Sequence, residues 1–258
     1  MHIFCMDLDN TIIYSYKHDI GNEKINVEIY QGREISFITK KTQELLLMAK
    51  EKYMLIPTST RTVGQYERID LGIGAFPYAL VCNGGILLVN GKWDRAWYET
   101  SLDLIRESSP ELEKAMGILE HDKRRKFELR FIERLFVFTK CNDPEKVVQY
   151  LRSRLNVGIV DIFHNGEKVY VVPKKLSKGM AVRRLREKLK PESILAAGDS
   201  GFDVSMVEEA DHGFVPYGFT DAYQISDDRS KIMEMEPERL FSEALLEKAL
   251  KMSSPIKI

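Results

Sequence analysis

The chain has 258 residues, which sets a prior of one large domain or two smaller ones with a core that needs no disulfide staples. Lysine plus arginine (38) nearly balances aspartate plus glutamate (39), so no global positive field exists to hold a polyanion, which argues against a dedicated nucleic-acid binder. No apolar run approaches the ~20 residues of a membrane span, the short amino-terminal apolar run ends in two acids unlike a signal peptide, and an odd number of cysteines (Cys5, Cys82, Cys141) fits reduced thiols in a cytoplasmic protein.

The first element expected is a strand over residues 1–6, apolar without alternation and so buried on both faces, as in the middle of a parallel sheet. It ends on Asp7-Leu8-Asp9-Asn10-Thr11. Side chains alternate along extended chain, so Asp7 and Asp9 leave on one side and face a point beyond the strand's carboxyl end, where open α/β sheets bind ligands. Two carboxylates held that close repel unless a cation or a shared proton relieves them. The plainer reading is a turn, which Asp and Asn favour. No element is expected over residues 12–20. Residues 25–29 and 35–37 then alternate as a short hairpin, and Thr39 caps a helix running to about Lys52. A second strand, residues 53–57, ends on Thr58-Ser59-Thr60-Arg61-Thr62 ahead of a helix near Val63. Hydroxyls, an arginine and a helix start make an anion-binding arrangement, or a plain helix cap. A third strand, residues 78–82, ends on Asn83-Gly84-Gly85, where glycine permits a tight turn or close backbone approach.

From residue 86 the pattern changes. A hairpin turning at Asn90-Gly91 is expected through Tyr98, followed by a helical region broken at Pro110 and resumed to about Leu119. Residues 127–132 and 135–140 read as antiparallel strands, 144–155 as a helix, and 157–163 with 168–172 as a hairpin. This is an antiparallel sheet with helices on one face, an α+β unit of its own. The α/β pattern resumes with a helix from about Lys178, which carries a cation in its first turn, where the dipole disfavours one. A fourth strand, residues 193–197, ends on Gly198-Asp199-Ser200-Gly201-Phe202-Asp203. Asp199 and Asp203, four apart, look down one side of the turn. A fifth strand over 213–216 and a helix over about 237–252 follow.

Asp-x-Asp-x-Thr, a strand-terminal hydroxyl, a lysine and a Gly-Asp block in this order resemble the four motifs of the haloacid dehalogenase superfamily of phosphatases. The Asn-Gly-Gly turn and the α+β insertion resemble its large-cap branch, which includes Cof-type sugar phosphatases, sucrose-phosphate phosphatase and eukaryotic phosphomannomutase. The resemblance implies an α/β fold: a Rossmann-like parallel-sheet core over residues 1–85 and 173–258, with an inserted α+β cap over 86–172. By the same resemblance Asp7 is the nucleophile, Asp9 the acid and base, and Mg2+ the cofactor, held by Asp7, Asp9 through its backbone carbonyl, and Asp199, with Asp203 holding its waters or orienting Lys178. Ser59 and Lys178 stabilise the transferring phosphoryl group, and Thr60, Arg61, Asn83 and Gly84 complete the substrate site. The implied reaction is hydrolysis of a small phosphorylated metabolite, most simply a sugar phosphate. The alternatives are a phosphomutase on the same aspartyl-phosphate and a binding module that kept the fold.

The sequence departs from the family pattern in two places. Ser59-Thr60-Arg61 stands where relatives read Thr-Gly-Arg, which leaves Thr58, Ser59 and Thr60 all eligible for the hydroxyl role, and Phe202 replaces an asparagine near the metal. In the cap, Lys123-Arg124-Arg125-Lys126 reads as a solvated turn, Phe127, Phe131, Phe136 and Phe138 mostly as core, and Trp93 and Trp97 as packing. Two connections between cap and core suit hinge closure.

Overall fold

The structure is a computed structural model and describes residues 1–225 and 231–252. The apolar amino-terminal run forms β1 (His2–Met6), buried from Ile3 onward. The chain then crosses residues 7–13 into β2 (Tyr14–Ser15), in a stretch where no element was expected, and β2 joins the hairpin of β3 (Lys24–Tyr30) and β4 (Arg33–Thr39) as a third antiparallel strand. Alternation fails inside β3. The register slips on either side of Glu28, so that Glu28 is buried while Ile29 is 58% exposed. A bulge of this kind re-aims side chains that strict alternation would send the other way.

Thr39 caps α1 (Lys40–Lys52), its hydroxyl accepting from Thr42 N at 2.9 Å, and α1 buries Leu45, Leu46 and Ala49. There follow β5 (Met54–Pro57), α2 (Val63–Tyr66) with a Thr62/Gln65 capping box, β6 (Tyr78–Val81), β7 (Ile86–Val89) and β8 (Lys92–Trp93).

The chain divides into two compact units, Met1–Trp93 with the residues from Lys178 onward, and Asp94–Ser177. The boundaries differ from the expected 86 and 172. Residues 86–93 stay with the first unit because β7 pairs with β6 along its whole length, from Tyr78 opposite Val89 to Val81 opposite Ile86.

In the second unit, α3 (Arg95–Leu104) begins where the sequence read a strand to Tyr98. Asp94 caps it by accepting from Trp97 N at 3.0 Å, and Trp97 is buried on the helix. Next come α4 (Ser109–Glu120), β9 (Arg130–Ile132), β10 (Phe136–Lys140), α5 (Pro144–Arg152), β11 (Val160–Asn165) and β12 (Lys168–Pro173). The strands form an antiparallel sheet in the order β11-β12-β10-β9. Leu112, Ala115 and Leu119 of α4 and Val147, Val148 and Leu151 of α5 pack with Val137, Ile162, Val169 and Val171 of the sheet. Val137 therefore faces the helices, and alternation sends Phe138 to the other face. There, half-buried Phe163, Tyr170 and Phe138 sit at directly opposed positions across three strands, with Arg130 opposed to Phe138 on the fourth. Ring centroids are 5.5 Å apart for Phe163–Tyr170 and 5.2 Å for Phe138–Tyr170. Of the four phenylalanines read mostly as core, Phe136 is buried, half-buried Phe131 packs against the helix-side cluster, and Phe127 and Phe138 are half-buried outside it. Three of the four residues of the basic run at 123–126 are tied up locally: Arg124 pairs with Asp122, Arg125 donates to the Leu119 and Phe127 carbonyls, and Lys126 pairs with Glu167.

The first unit resumes with α6 (Lys178–Leu189), β13 (Ser193–Ala197), α7 (Val204–Glu209), β14 (His212–Pro216), α8 (Phe219–Ala222), β15 (Ile232–Met235), which was not foreseen, and α9 (Phe241–Lys251). Its main sheet is parallel throughout, in the order β15-β14-β13-β1-β5. β1 lies between β13 and β5, which explains its unbroken apolar run. Among the described residues no helix is long and apolar enough to cross a membrane.

Candidate active site

In a parallel sheet all carboxyl ends lie on one edge. The register sets Met6 opposite both Ala197 and Pro57, so the segments that follow β1, β5 and β13 emerge side by side. Asp7 N donates to Ala197 O at 2.9 Å, and Thr58 N donates to Met6 O at 2.7 Å. The backbone therefore fixes where Asp7, Ser59 and Asp199 begin.

Lys178 opens α6 and is 1% exposed. Its Nζ donates to Asp7 Oδ1 and to Asp203 Oδ1, both at 2.5 Å. The unfavourable position of a cation in a first helical turn is thus offset by two carboxylates. Burial alone would pull the Lys178 pKa down, but Asp203 and Asp7 reverse this and hold it above the ordinary lysine value. Asp7 is pushed well above the usual carboxylate range by burial, which Lys178 only partly counters and which Asp203 and Asp199 reinforce. Asp199 is pushed up to about 7, first by burial and then by Asp203. Thr11 Oγ1 donates to it at 3.3 Å.

Asp203 has a second task. Its Oδ2 accepts from Ser200 Oγ at 2.8 Å, Ser200 N at 3.0 Å and Asp199 N at 3.2 Å, which folds the loop after β13 around it. Gly198 makes room for this, since a Cβ there would overlap Cβ and Cγ of Asp203. Gly198→Ala is accordingly expected to cost about 1–3 kcal/mol by overpacking and to displace Asp203 from Lys178. Urea unfolding against wild type reads the first effect, and a variant as stable as wild type would show that Asp203 has room to yield.

Asp7, Asp199 and Asp203 each present an oxygen within 4.8 Å of the others. Three carboxylates against one ammonium leave the cluster short of positive charge. Its donors are all hard oxygens, which suits a cation such as Mg2+ or Ca2+ over a softer metal.

Asp9 does not join this cluster. Its side chain is 50% exposed and takes a two-pronged ion pair from Arg61, Nε to Oδ2 at 2.8 Å and Nη2 to Oδ1 at 2.7 Å. The strand ends at Met6, so the alternation that would have aimed Asp9 with Asp7 no longer operates. Arg61, read as a substrate ligand, is engaged on its other side too, Nη1 donating to Glu28 Oε1 at 2.9 Å.

The three hydroxyls after β5 separate cleanly. Thr58 is fully buried and donates to Ile56 O at 3.2 Å, while Thr60 is half-buried. Ser59 Oγ accepts from Arg61 N at 3.2 Å, and a hydroxyl held that way still has its own proton to give an anion. Asn83 and Gly84 serve the same loop. Cys82 and Asn83 have φ of 52° and 58°, Gly84 of 83°, and this left-handed turn lets Cys82 N donate to Arg61 O at 2.8 Å and Asn83 N to Ser59 O at 3.0 Å.

Glu28, Arg68 and Ser36 were not picked out from the sequence. Glu28 Oε1 accepts from Arg61 and from Arg68 Nη2, each at 2.9 Å, and its Oε2 accepts from Ser36 Oγ at 2.7 Å. Burial works against its charge, but hydrogen bonds from Arg61 and Ser36 prevail and hold its pKa below the ordinary 4.5. A carboxyl depressed on folding adds stability above its unfolded pKa and loses it as pH falls through the folded one. Wild type is therefore expected to exceed Glu28→Gln in urea stability near neutrality, with the gap closing as pH drops below about 4.5. A gap independent of pH would contradict the charge's role.

A family model described as haloacid dehalogenase-like hydrolase matches residues 86–215, half of the chain. No curated protein sequence matches it. Among solved structures, the sucrose-phosphatase of Synechocystis sp. PCC6803, determined with sucrose and phosphate, is similar over 95% of each chain at 17% identity and a TM-score of 0.67. A Thermoplasma acidophilum protein is similar over 98% of this chain and 99% of its own, at 18% identity and a TM-score of 0.59. A haloalkanoate-superfamily phosphatase of Bacteroides thetaiotaomicron is similar over 96% and 93%, at 13% identity and a TM-score of 0.56. These identities speak for the fold alone; with the family model covering half its length, the chain belongs to the haloacid dehalogenase-like hydrolases.

Proposed function

We propose that this hydrolase is a Mg2+-dependent phosphatase that cleaves a small phosphorylated metabolite, a sugar phosphate, through an aspartyl-phosphate on Asp7. The supporting observation is Lys178 Nζ, 2.5 Å from both Asp7 and Asp203, with Asp199 in the same cluster. Asp7, Asp199 and the Asp9 carbonyl would hold Mg2+, which when bound neutralises phosphate charge as a Lewis acid. Asp203 serves mainly through Lys178 and the loop it organises, since both its oxygens are engaged there.

The protein's own groups then act as follows. Lys178 engages Asp7 Oδ1 and leaves Oδ2 outside the pair, so Oδ2 attacks phosphorus as the bond to the leaving oxygen breaks. Asp9, protonated on one oxygen while Arg61 keeps its hold on the other, gives the leaving oxygen its proton. Asp9, now ionised, takes a proton from water, whose oxygen attacks phosphorus and frees Asp7 and inorganic phosphate. Ser59 and Lys178 donate to the non-bridging oxygens while charge moves.

The sugar phosphate reading is supported by the fold shared with a sucrose-phosphatase. A cytoplasmic site of action goes with three buried thiols, Cys5, Cys82 and Cys141. The test is phosphate release from a panel of phosphorylated sugars with and without Mg2+. Mg2+-dependent release from at least one sugar phosphate is expected, and none from any phosphomonoester would overturn the proposal.

A further inference from the structure

We propose that Glu28 is a positioning residue for Asp9, acting through the guanidinium of Arg61. The inference rests on the reading of Asp9 as the group that protonates the leaving oxygen.

A guanidinium presents its donors in a rigid planar fork. The Nε and Nη2 edge of Arg61 lies on Asp9 at 2.8 and 2.7 Å, and Nη1 lies on Glu28 at 2.9 Å. Two carboxylates on two sides of one plane fix that plane, and with it the carboxyl group of Asp9. Glu28 is itself held. Its side chain is fully buried, and Ser36 and Arg68 supply its other donors. The bulge around Glu28 turns it inward at the cost of exposing Ile29. Packing alone would be better served by an apolar residue there, because a buried ion pair seldom exceeds a well-packed apolar replacement in stability. Asp9 differs in being half in solvent, so its orientation depends on what grips it. The hairpin of β3 and β4 thus does more than cover the core: it carries the anchor of the arginine that aims Asp9.

In the first half-reaction, which kcat/KM reports, a leaving group that needs no proton is indifferent to Asp9, whereas an alkoxide is not; the later activation of water is common to both. Glu28→Gln is therefore expected to lower kcat/KM for an alkyl phosphomonoester that wild type hydrolyses by about 10–100-fold, part of the contribution of a general acid. For p-nitrophenyl phosphate the expected loss is under about 3-fold, since nitrophenolate departs unprotonated. Glu28→Asp should recover part of the alkyl rate, and adding Glu28→Gln to Asp9→Asn should lower it no further, because the two act as a unit. Equal losses on both esters, no loss on either, or full additivity with Asp9→Asn would overturn the inference. A crystal structure of Glu28→Gln gives a reading independent of turnover. Arg61 turned away from Asp9 is expected; a pair unchanged from wild type would overturn the inference even if the phosphatase reading stood. Absence of turnover by wild type, with Arg61 displaced in the variant, would sink only the phosphatase reading. Should Glu28→Gln not fold, Glu28→Asp carries both measurements.

Discussion

Asp7→Asn is expected to lower Mg2+-dependent phosphate release by at least about 10,000-fold, the scale seen when a covalent nucleophile is removed. An amide has nearly the size of the carboxylate but lacks the charge to attack phosphorus. The same change should leave the fold intact. The amide oxygen can still accept from Lys178, and Lys178 keeps Asp203 at 2.5 Å. Asp7 sits well above the usual carboxylate range because it is buried beside Asp203 and Asp199, so its charge is a burden to the folded state and its loss should not lower the melting temperature. Collapse of activity without loss of stability separates chemistry from architecture. Turnover within about tenfold of wild type would remove Asp7 from the nucleophile's role.

The opposite pattern is expected at Lys178. Its ammonium is 1% exposed and stands between two buried acids. Lys178→Met keeps a long apolar stem but leaves Asp7 and Asp203 facing each other without a cation. Removing one partner from a buried ion pair costs about 3–5 kcal/mol, or roughly 6–20 °C in melting temperature for a chain of this length. Turnover should fall about 100- to 1,000-fold with the loss of a donor to the transferring group. Lys178→Arg should not restore wild-type behaviour, because one Nζ now serves both acids from a single point and a planar fork cannot do so in the same space. Calorimetric melting and phosphate release on both variants check this. A Lys178→Met protein as stable as wild type would show that the acids are relieved in some other way.

The contrast between the two positions shows how the site was and was not legible in sequence. Asp7 is far in the chain from Lys178, Asp199 and Asp203, yet each stands at a strand end or helix start, and parallel pairing from Met6 to Ala197 and Pro57 brings those points together. Periodicity and composition locate such ends because burial on both faces of β1 and β13 imposes unbroken apolar runs. Boundaries were less legible. The hairpin expected to reach Tyr98 gives way to α3, because Asp94 caps a helix at once and Trp97 buries there. Residues 86–93 stay with the first unit because β6 pairs with β7 across the turn at 82–85, a hairpin that the expected boundary at 86 cut in two.

Asp9 and Glu28 mark the limit. Alternation put Asp9 beside Asp7 and made residues 25–29 a regular strand, but alternation holds only where the chain stays extended and in register. β1 stops at Met6, and β3 slips at Glu28. The amino-acid sequence alone determined which strand ends carry acids and a hydroxyl and which helix start carries a lysine, because local burial and turn chemistry set those positions. Only the tertiary structure decided which charges meet. Pairing Lys178 with Asp7 and Asp203, and Arg61 with Asp9 and Glu28, depends on ångström-scale approach between segments distant in the chain, and Coulomb energy in a buried site depends steeply on that distance.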